Sequence, residues 1–282
     1  MTIRVIIDIL THWAPLCYAE DYDNVGLLTG SANKSCKGVL ITLDSIEPVV
    51  DEAIASGCNL IVSFHPIVFK GLKKITGDNY VQKTILKAIK HDIAIFAIHT
   101  ALDNHQNGVN SAIAERLQLQ PAKILVPKKG TIKKLVTYVP KENEKKVLEA
   151  LYEVGAGALG NYDQCSFVTE GFGSFRGNEK SNPSLGQQMA KNIVEEKQIQ
   201  VIFLAHQEKQ ILNSLRSAHP YETVAYEIIG TDNENPDIGM GKVGALKKPM
   251  SGQEFLGFVK KQMLTPMIRH SRLNSKPIQK VA

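Results

Sequence analysis

The chain has 282 residues, of which 43% are hydrophobic and 22% charged, with a formal net charge of +5, as in an ordinary globular protein of one or two domains. It contains no run of about 18 apolar residues, so we expect no transmembrane helix and no membrane partner. The N-terminus lacks a signal-peptide pattern and the four cysteines form no CxxC pair, so we expect a reduced, cytoplasmic protein without a zinc knuckle.

The positive charge is concentrated near the C-terminus. Residues 247–282 carry eight Lys and Arg residues and one acid, Glu254, whereas the remaining 246 residues have a net charge of −2. A basic tail of this kind can bind nucleic acid. Alternatively, the acidic surface that balances the tail lies in sequence that this chain lacks. We favour the second interpretation and do not expect a nucleic-acid partner.

Apolar runs and amphipathic segments alternate over the first 120 residues. The pattern predicts helices over 3–12, 48–57, 79–90 and 109–117, and strands over 38–44, 59–63 and 93–98. The β-α-β-α-β order of the central segments indicates a parallel sheet with right-handed crossovers. We therefore expect an α/β domain that begins at residue 1 and extends to about residue 125.

A second pattern follows a boundary near Pro121–Gly130. Its segments read as strand 134–139, helix 142–154, a hairpin around 165–169, strand 200–204, helix 208–217 and strand 223–229. This β-α-β-β-α-β order is typical of a ferredoxin-like domain. The predicted fold class is therefore α/β, with a parallel-sheet three-layer domain and an inserted ferredoxin-like (α+β) domain over residues 126–236.

Residues 237–282 are predicted to return to the first domain. A strand is expected over 239–246, and Ser251 is placed to cap a helix that ends near Met263. The last segment, Lys276–Ala282, resembles the beginning of a strand. We therefore expect this part of the domain to be incomplete and further sequence to follow.

Metal-binding residue types come directly after two of the predicted strands. His65 follows strand 59–63, and Asp103 follows strand 93–98 after a short polar segment. Because the carboxyl ends of parallel strands meet at one edge of a sheet, these two side chains are expected to share a crevice. An imidazole and a carboxylate suit divalent Zn, Fe, Mn or Mg. His65 and Asp103 are accordingly the predicted metal ligands.

His99 and Asp44 are the candidate catalytic groups. His99 lies four residues before Asp103, and Asp44 ends the first strand, so either could orient a ligand or act as an acid or base. Asp44 could equally cap the following helix. The acidic run Glu20–Asp23 could hold a cation, but such runs are more often solvated loops, and we interpret it as one.

Several segments together resemble one known family. They are Trp13-Ala14-Pro15 and Ala19–Leu27, then Ser63–Phe69 and His99–Asn104, and finally His219–Tyr226 and Asp237–Gly241. In order and over the whole chain they are similar to the NGG-interacting-factor-like dinuclear metal proteins, homologues of the type 2 form of GTP cyclohydrolase I.

The resemblance implies homo-hexameric rings with two divalent metal ions per subunit of the full-length protein. The family's ligands are two adjacent histidines, an aspartate, and a C-terminal His and Glu. His65 matches the second histidine and Asp103 the aspartate, whereas Phe64 stands in place of the first histidine. The C-terminal pair has no counterpart before Ala282. The chain is thus expected to be truncated before those ligands, and two ligands hold a divalent ion only weakly.

Two functions of different classes follow from this resemblance. The first is a metal-dependent hydrolase of the GTP cyclohydrolase type, in which activated water attacks a nucleotide-like small molecule. The second is a non-enzymatic hexameric metal-binding protein that mediates partner interactions.

Overall fold

The computed structural model describes residues 1–282, which divide into two compact units. The first unit comprises Met1–Pro127 with Pro236–Ala282, and the second comprises Lys128–Asn235. Helices and several sheets are mixed in the chain, which confirms the predicted α/β fold class. None of the helices combines the length and apolar character that spanning a bilayer requires.

The helices and strands have the following bounds. The α-helices are α1 (Ile3–Trp13), α2 (Glu47–Ala55), α3 (Tyr80–Lys90), α4 (His99–Asp103), α5 (Val109–Arg116), α6 (Glu144–Glu153), α7 (Glu208–Ala218) and α8 (Gly252–Gln262). The strands are β1 (Gly26–Thr29), β2 (Val39–Thr42), β3 (Leu60–Ser63), β4 (Ala94–Ala97), β5 (Lys123–Pro127), β6 (Ile132–Pro140), β7 (Ser166–Arg176), β8 (Lys191–Leu204), β9 (Tyr226–Gly230), β10 (Gly239–Met250) and β11 (Ile278–Val281).

The main sheet of the first unit has the strand order β1-β4-β3-β2. Strands β2, β3 and β4 are parallel, as the sequence predicts. The edge strand β1 pairs antiparallel with β4 and was not predicted, because its four residues are too few to show a period-two pattern. The sheet is therefore parallel except at the β1 edge.

Helices cover the two faces of this sheet. Phe96 and Leu60 pack with Ile3 of α1 on one face, and Ile61 packs with Val50 of α2 and with α3 on the other. Successive strand residues supply both clusters because side chains alternate between the faces of a strand. The first unit is therefore a three-layer domain, as predicted. The near-continuous burial of β3 and β4 follows from cover on both sides.

The second unit has one antiparallel sheet of order β7-β8-β6-β9. Helices α6 and α7 pack on one face, where Leu135, Val147, Ile199 and Ile211 are wholly buried. With its β-α-β-β-α-β order, this is the ferredoxin-like arrangement that the sequence predicts. The β7–β8 hairpin is much longer than predicted, since β8 already begins at Lys191.

The C-terminal part of the first unit forms a second sheet of order β11-β10-β5. Strand β5 lies within the segment that was interpreted as a boundary. The predicted helix near the C-terminus is α8, and its capping box is confirmed: Ser251 Oγ accepts from the Glu254 amide at 3.3 Å, and the Glu254 carboxylate accepts from the Ser251 amide at 2.8 Å.

Candidate metal and catalytic site

Three of the four predicted site residues follow the parallel strands at one edge of the main sheet. Thr42, Ser63 and Ala97 are neighbours in the strand register, so the chain leaves all three strands at the same level. Asp44 and His65 come two residues after their strands, and the imidazoles of His65 and His99 lie 5.4 Å apart between ring centroids. The sheet therefore brings His65 together with both candidate catalytic residues.

His65 is held by Asp44. Its Nδ1 lies 2.8 Å from Asp44 Oδ1, and both side chains are about half exposed. Because a carboxylate can only accept this bond, Nδ1 carries the proton and the lone pair of Nε2 remains available. A carboxylate behind a histidine is the usual support of a metal-ligating imidazole. Asp44 thus contacts its predicted partner rather than capping α2, whose cap residue is Ile46.

His99 is held in the same way by an aspartate that was not predicted. Its Nδ1 lies 2.8 Å from Oδ1 of Asp23, whose side chain is wholly buried. Oδ2 of the same carboxylate accepts from the Thr100 amide at 3.1 Å and from the Thr100 hydroxyl, while the Asn24 amide donates to Oδ1 at 2.7 Å. Burial by itself would raise the pKa of Asp23, but these hydrogen bonds outweigh it and lower the pKa. Asp23 is therefore ionised and can support a second imidazole.

The interpretation of Glu20–Asp23 as a solvated loop is wrong for its last residue. Strand β1 runs antiparallel to β4, with Gly26 beside Ala97, so the segment before β1 lies where β4 ends. A prediction of β1 as the antiparallel neighbour of β4 would have placed Asp23 at this edge. The four residues of β1 carry too weak a signal for that prediction.

The backbone of His99 is strained. Its φ is +27°, in a region that residues other than glycine rarely adopt, at a typical cost of about 1–3 kcal/mol. The His99 amide donates to the Phe64 carbonyl at 3.0 Å, and the Ile98 amide donates to Ser63 at 3.1 Å. These bonds and the Asp23 contact hold the residue in place. Strained residues that are held this firmly are concentrated at functional sites.

Asp103 ends the short helix α4, which begins at His99. The spacing of four residues puts the two side chains on the same face of the helix. Burial raises the pKa of Asp103 and the negative charge of Asp23 adds to this, whereas His99 and His65 act in the opposite direction. All the predicted site residues therefore belong to one electrostatically connected group.

Aromatic side chains form the apolar wall of this group. The Phe64 ring lies 5.1 Å from His65 and 5.4 Å from His99, and Phe69 lies 6.4 Å from His99, between ring centroids. Aromatic neighbours reduce the solvation of the imidazoles without offering a donor atom. Phe64 therefore shapes the site but cannot ligate a metal.

The donor types of the site fit a divalent metal ion, but the set is incomplete. His65 and His99 each offer Nε2, and Asp103 offers a carboxylate, which are the donors that Zn, Fe and Mn accept. Nowhere in the chain do three or more His, Cys, Asp or Glu side chains stand close enough together to hold a metal ion. The donor types, and the carboxylates of Asp44 and Asp23 behind the two imidazoles, therefore fit a divalent metal ion, whereas a complete ligand set is not formed.

A cavity of about 950 Å³ lies elsewhere, within the second unit. Tyr138, Phe172, Glu196 and Tyr221 are among its lining residues, and none of the predicted site residues is. The candidate site is therefore identified by its donor atoms and by the carboxylates that contact its imidazoles, and not by a pocket.

Comparison with known families and proteins gives concordant matches. Residues 1–282 match the family described as Duf34/NIF3 (NGG1p interacting factor 3). The GTP cyclohydrolase 1 type 2 homolog of Bacillus subtilis (strain 168) is 40% identical over 259 residues, which cover 92% of this chain and 69% of the relative. That of Halalkalibacterium halodurans is 38% identical over 280 residues, covering 99% and 75%.

Solved structures show the same similarity. A Bacillus cereus protein related to NIF3 superposes with a TM-score of 0.83 at 36% identity, covering 99% of this chain and 75% of that protein. A Staphylococcus aureus protein superposes with a TM-score of 0.72 at 31% identity, covering 99% and 74%. The architecture described above is therefore shared by proteins of clearly related sequence.

Proposed function

Because the chain belongs to the Duf34/NIF3 family, we propose that it is a cytoplasmic metal-dependent hydrolase acting on a nucleotide-like small molecule. The observation that supports this most directly is the pair of carboxylate-held imidazoles, Asp44–His65 and Asp23–His99, at one edge of the sheet. The printed name of the relatives, GTP cyclohydrolase 1 type 2 homolog, supports a nucleotide as the substrate class.

In this proposal His65 and Asp103 bind the divalent ion, and the ring of His99 lies 5.4 Å from that of His65 between centroids. The ion, when bound, would supply an activated water for attack on the substrate. Asp44 keeps the proton of His65 on Nδ1, so that Nε2 stays free to ligate. Two protein ligands hold a divalent ion weakly, so in this proposal further ligands come from residues outside this group.

His99 is the proposed proton carrier. Its Nε2 can accept a proton while Nδ1 remains bonded to Asp23, whose lowered pKa keeps it negative and stabilises the imidazolium that forms. The Nδ1 contact with Asp23 orients the ring, and two hydrogen bonds from Thr100 hold the Asp23 carboxylate in place. Asp44 is the second candidate acid or base, and its side chain is about half exposed to solvent.

Metal content tests the ligand assignment. We expect His65→Ala and Asp103→Ala to lower the bound metal of the purified protein at least tenfold, because each removes one of the few donors. Elemental analysis after dialysis against buffered Zn, Fe or Mn measures this directly. The matched control is His91→Ala, which removes an exposed histidine at the end of α3. Metal content equal to wild type in both site variants would refute the assignment.

The second candidate is a non-enzymatic hexameric metal-binding protein that mediates partner interactions. The cavity of the second unit favours it, since this unit offers a binding space that none of the proposed catalytic residues lines. Turnover of GTP by metal-loaded protein distinguishes the two proposals. Turnover that Asp103→Ala abolishes supports the hydrolase, and no turnover across a panel of nucleotides supports the binding protein.

A further inference from the structure

The cavity of about 950 Å³ in the second unit lies on the helix-free face of its sheet. Leu135 and Ile199 face α6 and α7 on the other side of the sheet. Because side chains alternate along a strand, Tyr138, Glu196 and Gln198 face away from these helices, and all three line the cavity. Every lining residue belongs to the second unit, so this candidate site shares no residue with the proposed metal site.

Two glycines of β7 leave room for the cavity. Gly171 lines it and pairs with Glu196, and a Cβ at Gly171 would meet no atom within 4 Å. A Cβ at Gly173 would overlap Oε2 of Glu196, so this glycine makes room for the carboxylate. The sheet therefore offers open space beside a charged group.

The segment His219–Tyr226, which belongs to the family resemblance, supplies another wall of the cavity. His219 is buried, its Nε2 donates to the Tyr138 carbonyl at 2.9 Å, and its Nδ1 accepts from the Tyr221 amide at 3.1 Å. Burial lowers the pKa of His219 more than its bond to Tyr138 and the charge of Glu196 raise it, so the ring is neutral at pH 7 and keeps both bonds. His219 thus positions the backbone of two tyrosines that line the cavity.

Glu196 is the charged group that lies deepest among the lining residues. It is partly buried, whereas the other charged lining residues are all exposed: Glu170, Arg176, Lys180 and Glu222. Its Oε1 accepts from the Tyr221 hydroxyl at 2.8 Å, and it forms no ion pair with a basic residue. Burial and this bond raise the pKa of Tyr221, so its hydroxyl stays protonated and keeps donating. A carboxylate that loses solvent without a cationic partner favours a cationic ligand.

Aromatic rings stand around this carboxylate. Tyr138 lies opposite Gln198 in the strand register, and Glu196 is the next residue of β8 on the same face. The rings of Tyr221 and Phe175 also line the cavity, and all three aromatic residues are only partly exposed. An ammonium group is attracted both by a carboxylate and by the faces of aromatic rings. This part of the cavity therefore combines the two features that recognise an organic ammonium ion.

A second lining carboxylate without an ion pair belongs to Glu222. It accepts from the Asn182 amide, in the connection between β7 and β8, at 2.9 Å. We propose that the cavity binds an aliphatic polyamine, with one ammonium group held by Glu196 between Tyr138 and Tyr221 and another held by Glu222. The volume of the cavity is within the range of about 300–1,000 Å³ that is usual for small-molecule sites.

An anionic ligand fits the same cavity less well. The two basic lining residues, Arg176 and Lys180, are exposed, and their charges are screened by solvent. Nε of Arg176 already donates to the Met189 carbonyl at 3.1 Å. An anion that filled the cavity would also lie beside the partly buried charge of Glu196. Charge therefore favours the polyamine.

Isothermal titration calorimetry of the full chain, with spermidine as the probe, tests the proposal. We expect wild type to bind spermidine and Glu196→Gln to bind it at least tenfold more weakly, because the variant removes the charge but keeps an oxygen that accepts from Tyr221. The matched control is Glu195→Gln, which removes an exposed carboxylate on the other face of β8. Its dissociation constant should stay within about twofold of wild type.

A second variant fills the cavity without changing any charge. Gly171→Val adds a side chain where a Cβ meets open space, in a strand that favours β-branched residues. Circular dichroism is expected to stay as in wild type, while spermidine binding weakens at least tenfold because the valine occupies the binding space. The control is Gly230→Val at the end of β9, another open strand position, which does not line the cavity.

The proposal is overturned if wild type does not bind spermidine, or if either Glu196→Gln or Gly171→Val binds it as tightly as wild type does. Neither variant alters a residue of the proposed metal site. Failure of the polyamine proposal is therefore distinguishable from failure of the hydrolase proposal, which metal content and nucleotide turnover test.

Discussion

Replacing Asp23 with Asn is expected to lower the free energy of unfolding at pH 7 by about 2–4 kcal/mol. The buried carboxylate accepts four hydrogen bonds, from His99, from Asn24 and twice from Thr100. An amide has one acceptor oxygen, and its nitrogen would face groups that themselves donate. Each buried donor left without a partner costs about 1–3 kcal/mol. Urea denaturation of the metal-free protein measures the loss.

The same variant should change the dependence of stability on pH. Folding lowers the pKa of Asp23, so its ionised form stabilises the native state at pH above its unfolded-state pKa. That contribution disappears as the pH falls through the lowered pKa of the folded protein. The difference between wild type and Asp23→Asn should therefore shrink as the solution is acidified.

Asp21→Asn is the matched control, because it removes an exposed aspartate two residues away. It should remain within about 0.5 kcal/mol of wild type at every pH. A variant at position 23 that is as stable as wild type at pH 7, or a difference that grows in acid, would contradict the assigned role of the carboxylate.

Truncation of Phe96 to Ala is expected to destabilise the first unit by about 3–5 kcal/mol. Phe96 is the largest wholly buried side chain, and it packs in β4 beneath α1 and next to Leu60. The change removes most of a ring from a core that is covered on both faces, and the rigid sheet can collapse only partly into the cavity. Urea denaturation measures the loss, and hydrogen exchange locates it.

Amides of β3 and β4 should exchange faster in this variant, whereas amides of β8, in the second unit, should be unaffected. Phe172→Ala is the control, since that ring is 75% exposed and its removal leaves no cavity. If both truncations lowered the free energy of unfolding equally, the burial of Phe96 would not explain the stability of the sheet.

Long segments with a clear period were predictable from the sequence. The helix over residues 3–12 is α1, and the apolar runs 59–63 and 93–98 contain β3 and β4. Parallel pairing then placed His65, Asp44 and His99 at one sheet edge, because strand direction determines where each strand ends. Short elements were missed for the opposite reason, since β1 and α4 have too few residues to show a period.

The sequence by itself determined the α/β order, the ferredoxin-like insertion and the donor types at the ends of the parallel strands, because these depend on local periodicity and chain direction. Only the tertiary structure decided that Asp23 is buried behind His99 and that Asp44 holds His65. It also decided that β2 lies at one edge of the main sheet. These features depend on contacts between segments that are far apart in the chain, and no local pattern encodes which strand lies at the edge or which carboxylate a folded loop will bury.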